Sequence, residues 1–406
     1  MLIKPTLIST AILAAASMQV QAAESSNGFF ADSKLDLGLR TYYFNRDKVD
    51  QADSKAMSQA LRLDFTSGYL NNIVGFDASI FSAQKLSGEN GHGGTGLLRD
   101  DGSAQRGYAK IGQAFVKVKL GENGKLKAGR MVLGTPLFND SDSRSTPSST
   151  QAVMAEGNFG NANVYGIWSD RASAKTSETF DKYQDTNGKD YEVKVLGGGY
   201  SFDNGLNVSA AYGEAEDVLQ QAYVNVNYPY IFSNDIKVKF DGHFYSGKAD
   251  GNAVGHVAST YDSDLVNLAA QVSYQNSKVT ASYQGVNGDE YIEGWGGSDD
   301  TGLSTWNSVQ RLDFDRADEQ SWQLRLDHDF QKVKGLSFMT RYTHGDNITK
   351  VGQADGSEWE RNVELKYAFQ DVDGLSVRWR NSTVRSSETV DTNENRLLVN
   401  YKISFK

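Results

Sequence analysis

Apolar and polar residues alternate along most of the chain with a period of two. Near the start, Leu35, Leu37 and Leu39 share one face of an extended segment, whereas Asp36 and Arg40 share the other. The last stretch repeats this arrangement, with an apolar set at Leu397, Val399, Tyr401, Ile403 and Phe405. The alternation predicts β-strands that have one apolar and one polar face.

The connections between these strands are predicted to alternate in length. Short turns rich in Asn, Gly and Asp are expected near residues 70–72, 121–124, 160–162, 203–205, 233–235, 276–277, 331–335 and 371–374. Longer polar segments lie near residues 47–57, 86–105, 135–150, 172–189, 214–219, 248–262, 287–319, 345–357 and 386–395. Eight turns and nine loops separate eighteen strands, with both chain ends on the side of the short turns.

This pattern predicts an all-β fold, namely a transmembrane antiparallel β-barrel of 18 strands with long external loops folded into the pore. A barrel of this size leaves an aqueous channel, which becomes selective when a charged loop narrows it. Residues 135–150 and 287–319 are the best candidates for that role. The first segment carries Asp140, Asp142 and Arg144, and the second is acidic and rich in glycine.

The first residues have the pattern of a secretory signal. Lys4 supplies the positive charge, residues 7–16 the short apolar run and residues 20–22 the small-residue cleavage site. We therefore expect a signal peptide at 1–22 and a barrel domain at 23–406. The expected location is the outer membrane of a Gram-negative bacterium, with outer-membrane lipid, lipopolysaccharide and the barrel-assembly machinery as partners.

Composition narrows the chemistry further. The chain has no cysteine, which excludes disulfides and thiolate metal sites. Its net charge of −10 gives no general attraction for nucleic acid. The five histidines are scattered, so we expect no metal cluster and no cofactor.

Basic residues recur on the predicted inward faces. Arg378 and Arg380 lie opposite an apolar set on one strand, and a lipid-facing arginine at mid-membrane would cost about 2–4 kcal/mol. They are therefore predicted to point into the lumen. Because the first and last strands meet when a barrel closes, a single basic wall is expected from Arg40, Arg62, Arg378 and Arg380. Arg341 is expected to be a further inward member of the basic ladder. Such a wall offers a carboxylate several weak sites in succession.

Several segments together resemble the OprD family of substrate-specific porins. They are residues 35–47, 66–69, 94–98, 126–130, 141–144, 319–322 and 341–347, which are spread in order over nearly all of the chain. The resemblance implies an 18-stranded barrel, a constriction made by the third and seventh external loops, and a basic ladder that leads carboxylate-bearing solutes through it.

The resemblance also assigns roles to particular residues. It places Arg40, Arg62, Arg130, Arg378 and Arg380 in the ladder, and Asp142 and Arg144 in the third loop. The opposing acidic and hydroxyl groups of the seventh loop are expected among Asp299, Asp300 and Ser304. Arg130 has the phase of its apolar neighbours, so it faces inward only if a bulge intervenes.

The expected function is passive, selective diffusion of small polar solutes that bear a carboxylate, either organic acids or amino acids. Monomer and trimer both remain open. A chitin-oligosaccharide porin is the alternative, because inward or nearby aromatic residues could form a path for sugars: Tyr42, Tyr245, Trp295 and Trp306. A barrel lipase or protease is a rival from another class, since His328 falls on the predicted outer face, although no serine in phase beside it is evident.

Overall fold

Strands make up nearly all of the regular structure in the computed structural model, which describes residues 28–232, 236–251, 257–296, 299–350 and 354–405. The predicted signal peptide and the predicted turn at 233–235 lie outside the described residues. Within these ranges, no helix is long and apolar enough to cross a bilayer.

Eighteen long strands of the described chain form one antiparallel sheet. They are β1 (Lys34–Lys48), β2 (Ser54–Thr66), β3 (Val74–Ser87), β4 (Tyr108–Leu120), β5 (Gly124–Met131), β6 (Ser149–Phe159), β7 (Ala162–Ser173), β8 (Val193–Ser201), β9 (Asn207–Ala215), β10 (Leu219–Ile231), β11 (Ile236–Ala249), β12 (Asp262–Tyr274), β13 (Ser277–Gly288), β14 (Gln320–Asp329), β15 (Leu336–Ile348), β16 (Gly356–Ala368), β17 (Leu375–Ser386) and β18 (Thr392–Phe405). β1 pairs with β18 from Leu35 opposite Phe405 to Lys48 opposite Thr392, which closes the sheet into a barrel.

The predicted alternation of faces is confirmed in these strands. In β11, Phe240 and Phe244 are exposed on the outer side, whereas Asp241 between them is buried inside. In β1, Tyr42 and Phe44 are fully buried and therefore point inward. An outward apolar set and an inward polar or small set are what a barrel in lipid requires.

The predicted order of turns and loops holds, but several predicted loops are about half strand. β1 continues to Lys48 and β2 begins at Ser54, so the loop expected at 47–57 is reduced to 49–53. The loop expected at 214–219 is reduced to 216–218 in the same way. Polar residues beyond the membrane still pair in the ladder, and polarity alone therefore overestimated these loops.

The main hydrophobic core lies inside the barrel, between two long loops and one half of the wall. We call residues 132–148 loop 3, residues 174–192 loop 4 and residues 289–319 loop 7. Leu137 and Phe138 of loop 3 pack with the buried Trp295 of loop 7 and with inward residues of β5 to β13. An isolated β-bridge between Asp140 and Thr301 joins the two loops directly.

A β-bulge in β4 leaves space for the ring of Phe81 in β3, on the half of the wall away from the main core. Gly112 is the extra residue, since Ser79 pairs with Gln113 and Ile80 with Ile111. A β-carbon at Gly112 would lie 2.0 Å from the ring of Phe81. Arg62 in turn lies over the Phe81 ring, with its guanidinium carbon 5.1 Å from the ring centroid.

We expect Gly112→Ala to destabilise the barrel by about 1–3 kcal/mol, because the Phe81 ring must move in a closely packed interior. The measurement is the temperature at which the heat-modifiable band of the folded barrel is lost on a gel. Gly134→Ala is the matched control, since nothing lies within 4 Å of a β-carbon at Gly134. An equal loss of stability in both variants would contradict the prediction.

Candidate functional site

Barrel closure brings the last strands beside the first two, and their inward faces carry arginines. Arg40 in β1 donates from Nε to Oδ1 of Asn400 in β18 at 2.9 Å. Arg378 and Arg380 in β17 lie 2.6 and 3.2 Å from the same carboxylate oxygen of Glu364 in β16. The two arginines thus share one acid, and positive charge remains on this side of the lumen.

Two further arginines extend this surface on either side. Arg62 in β2 pairs with Asp64 at 2.7 Å, and Arg341 in β15 donates to Asn362 at 2.7 Å. We call the whole inward row, from β15 through β18 to β2, the basic wall. Its predicted members are Arg40, Arg62, Arg341, Arg378 and Arg380.

Exposure separates the members of the basic wall. The side chains of Arg62 and Arg378 are 36% and 37% exposed, against 24% for Arg40 and 16% for Arg380. Arg341 is buried. A solute in the lumen therefore reaches Arg62 and Arg378 most easily.

The structure adds two arginines that the sequence analysis did not single out. Arg46 in β1 and Arg396 in β18 both pair with Glu394, whose side chain is fully buried. Arg396 also lies over the ring of Phe44, 4.8 Å from its centroid. The period of two already places residues 394 and 396 on the inward face, so the alternation that identified Arg378 could have identified them.

Arg130 lies on the outer face and is not part of the basic wall. Its neighbour Met131 is buried in the interior core, and β5 pairs on both sides without a bulge. Arg130 therefore keeps the outward phase of the strand. Its guanidinium carbon is 4.4 Å from the ring centroid of Phe180 in loop 4.

Loop 3 contacts the basic wall through the predicted residue Asp142. Its Oδ1 accepts a hydrogen bond from Nη1 of Arg40 at 2.9 Å. Arg144 points elsewhere, because its Nε donates to the carbonyl of Thr95 at 2.9 Å. Burial lowers the pKa of Arg144 to about 10. Asp142 thus faces the lumen, whereas Arg144 fastens loop 3 to the second external loop.

The other predicted loop residues meet at a junction between loops 3, 4 and 7. Asp140 accepts hydrogen bonds from the Leu133 amide at 2.7 Å and the Ser148 hydroxyl at 3.1 Å. Asp299 accepts from the Trp295 amide at 2.8 Å.

Asp300 and Ser304 also contact partners within the loops. Asp300 pairs with Lys175 of loop 4. The Ser304 hydroxyl lies 3.4 Å from the side-chain amide of Asn139 in loop 3. Asp299, Asp300 and Ser304 therefore hold loops together, rather than facing the basic wall as the resemblance implied.

Side chains of the barrel wall hold loop 7 by its main chain. One carboxylate oxygen of Glu360 accepts from the amides of Arg311 and Leu312 at 3.2 and 2.9 Å. The side-chain amide of Gln284 donates to the carbonyls of Asp313 and Phe314 at 2.8 and 2.7 Å. Loop 7 is thereby fixed inside the barrel at residues 311–314.

An acidic cavity of about 590 Å³ lies between loop 7 and the external end of the wall. Burial raises the pKa of Glu293 and of Asp315, and the negative charge of Asp313 raises both further. Only two cationic side chains, Arg311 and Arg316, are among its described lining residues. The acidic side chains that line it are Asp289, Glu290, Glu293, Asp313, Asp315 and Glu358.

A second cavity, of about 300 Å³, lies against the basic wall. Arg40 and Arg62 line it together with Asp142, Ser145 and Pro147 of loop 3. Asp36 near the start of β1 and Lys402 near the end of β18, on the side of the short turns, also line it. The lumen thus has an acidic cavity toward the long loops and a second cavity, along the basic wall, toward the short turns.

The outer face does carry a Ser–His pair, contrary to the sequence analysis. Ser277 pairs with His328 across β13 and β14, and its hydroxyl lies 2.8 Å from Nδ1. The ring of His328 also contacts Phe330. No carboxylate among the described residues hydrogen-bonds this histidine, so the third group of a catalytic triad is missing there.

Comparison with known proteins decides the family. The model of the family described as outer membrane porin, OprD family, matches residues 27–405. The chain belongs to this family. It is an outer-membrane channel of a Gram-negative bacterium and not an enzyme.

Individual relatives match this OprD-family porin over nearly its whole length. Porin D of Pseudomonas aeruginosa is 33% identical, over 93% of this chain and 92% of its own length. The porin-like protein GalP of Pseudomonas putida is 30% identical, over 96% of both chains. A crystal structure of Pseudomonas aeruginosa OpdK with vanillate has a TM-score of 0.85 and 30% identity, covering 93% of this chain and 100% of the other.

We expect the loop junction of this porin to loosen as the pH rises. Burial raises the pKa of Asp140 from 3.8 to about 7 and that of Asp299 from 3.8 to about 6. The closed junction therefore binds more protons than separated, solvated loops would. Its stabilisation is complete below about pH 4 and is lost as the pH rises through 6 and 7.

Current noise in single channels should accordingly be greater at pH 8 than at pH 5. The double variant Asp140→Asn, Asp299→Asn should show the same noise at both values. Asp101→Asn, on an exposed loop, is the control and should behave as the unmodified protein does. A pH dependence that survives in the double variant would disprove this role of the junction.

Proposed function

We propose that this porin conducts small solutes that bear a carboxylate, and that the basic wall is their path. The observation that carries the proposal is the row of inward arginines from β15 to β2, of which Arg62 and Arg378 are exposed to the lumen. Each wet ion pair with a solute is worth about 0–1 kcal/mol. Successive weak sites allow a solute to bind and still leave.

The acidic cavity refines the class of solute. A molecule that enters from the long loops meets the exposed carboxyl groups of Asp289 and Glu290 before it meets the basic wall. Amino acids carry both an ammonium and a carboxylate, and they fit this order of charges better than a dianion does. The relative OpdK, crystallised with the carboxylate vanillate, supports a carboxylate cargo in general.

The aromatic residues favour the carboxylate proposal over the chitin alternative. A sugar path needs exposed rings on which successive sugars can stack. Tyr42, Tyr245 and Trp295 are almost completely buried, in contact with loops 3 and 7 or with neighbouring wall residues. Trp306 is half-buried, and its indole nitrogen donates to Asp241 at 3.1 Å.

We expect the double variant Arg62→Gln, Arg378→Gln to weaken block of the current by organic acids and amino acids by about three- to tenfold, since it removes the two exposed cations of the wall. Reversal potentials in a salt gradient should shift toward cation selectivity. The measurement is single-channel recording in planar bilayers with a panel of organic acids, basic amino acids and chitin oligosaccharides.

Arg130→Gln is the matched control, because Arg130 lies on the outer face and its loss should leave selectivity unchanged. Block by chitin oligosaccharides alone would move the assignment to a sugar channel. Absence of any conductance from folded, heat-modifiable protein would refute the channel assignment altogether.

A further inference from the structure

The outer face of β16, β17, β18, β1 and β2 changes from apolar to polar between two adjacent rows. The apolar row contains Leu365, Trp379, Leu397, Tyr43 and Met57, which are direct partners across the strands. The next row toward the long loops contains Val363, Asn381, Asn395, Asn45 and Lys55. The row after that contains Arg361, Thr383, Asn393 and Asp47.

The three asparagines of the middle row are adjacent, and their side chains bond to neighbouring residues of the wall. Asn381 donates from Nδ2 to Oδ1 of Asn395 at 3.2 Å and to the Glu394 carbonyl at 3.1 Å. Asn45 donates to Asp47 at 2.6 Å. Amides in this number are unusual on a face that meets acyl chains, and they indicate contact with a polar part of the membrane.

Arg361 is the exposed cation of this surface. Its Nη2 donates to Oδ1 of Asn381 at 3.2 Å and to the hydroxyl of Thr383 at 3.1 Å. Both acceptors are neutral, and no carboxylate of the described chain lies within ion-pair distance of Arg361. By contrast, Arg385 nearby lies 3.6 Å from Asp391.

Lys55 is exposed on β2, at the end of the middle row next to Asn45. It too has no ion pair among the described side chains. The middle row therefore ends at Lys55, a cation without an acidic partner. A second such cation, Arg361, lies beside the other end of this row, one row nearer the long loops. This arrangement suits an anion that carries several hydrogen-bonding groups.

We call the surface formed by Asn45, Asn381, Asn395, Lys55 and Arg361 the amide row. We propose that it binds the phosphorylated sugar headgroup of lipid A, the membrane anchor of lipopolysaccharide. The guanidinium of Arg361 would receive one phosphate and the asparagines the sugar hydroxyls and amides. The apolar row of Trp379 and Leu397 directly below would contact the acyl chains, since both are exposed outward.

The position of the amide row in the barrel supports this occupant. It lies on the half of the strands nearest the long loops, which face the outside of the cell. Lipid headgroups of the outer leaflet lie at the level of the aromatic residues that mark the interface. The nearby rings of Trp322, Tyr342 and Trp359 contact one another in that zone.

The test uses the refolded full barrel in detergent that contains no lipopolysaccharide, with diphosphorylated lipid A as the probe. We expect the double variant Arg361→Gln, Lys55→Gln to bind the probe about tenfold more weakly than the unmodified protein. Dephosphorylated lipid A should bind the unmodified protein no more tightly than the probe binds this variant. Arg361→Lys should retain part of the affinity. Binding is measured by native mass spectrometry across a lipid titration.

Lys194→Gln is the matched control, an exposed cation at the external end of β8 on another side of the barrel. It should bind the probe as the unmodified protein does. Each variant is shown to be folded by the same heat-modifiable band and the same single-channel conductance as the unmodified protein. Equal affinity in all variants, an equal loss in Lys194→Gln, or full displacement by millimolar inorganic phosphate would each overturn the proposal.

Discussion

The structure depends on the hydrogen bonds that join its first and last strands. A lipid interior satisfies no backbone amide or carbonyl, so a sheet in a membrane is stable only when it has no free edge. Pairing along β1 and β18 from Leu35 to Lys48 removes both edges at once. The same closure brings the arginines of β17 and β18 beside those of β1 and β2, and so it also creates the charged side of the lumen.

The two halves of the barrel interior differ in polarity. On the side of β5 to β13, apolar wall residues bury parts of loops 3 and 7 around Trp295. On the other side, arginines share a limited number of carboxylates, such as Glu364 and Glu394. Loops 3 and 7 contact the charged side at Arg40 and Glu360, and they leave Arg62 and Arg378 exposed to a solute.

Sequence alone predicts the parts of this arrangement that depend on the period of two. The direction of Arg378 and the outward phase of Arg130 both follow from it. For Arg378 the cost of a charge exposed to lipid points the same way. Loop positions do not follow, since Asp299 and Asp300 look like free acids in the sequence. Only the three-dimensional contacts show that Asp300 pairs with Lys175 and that Asp299 accepts a hydrogen bond from a backbone amide of its own loop.

The way in which loop 7 is held has a consequence for the divergence of such channels. Glu360 and Gln284 bind backbone amides and carbonyls, which every amino acid supplies. Substitutions in the loop can therefore alter the charges that a solute meets while the course of the loop is retained. A barrel built this way can acquire a new cargo by drift in one segment, with its scaffold unchanged.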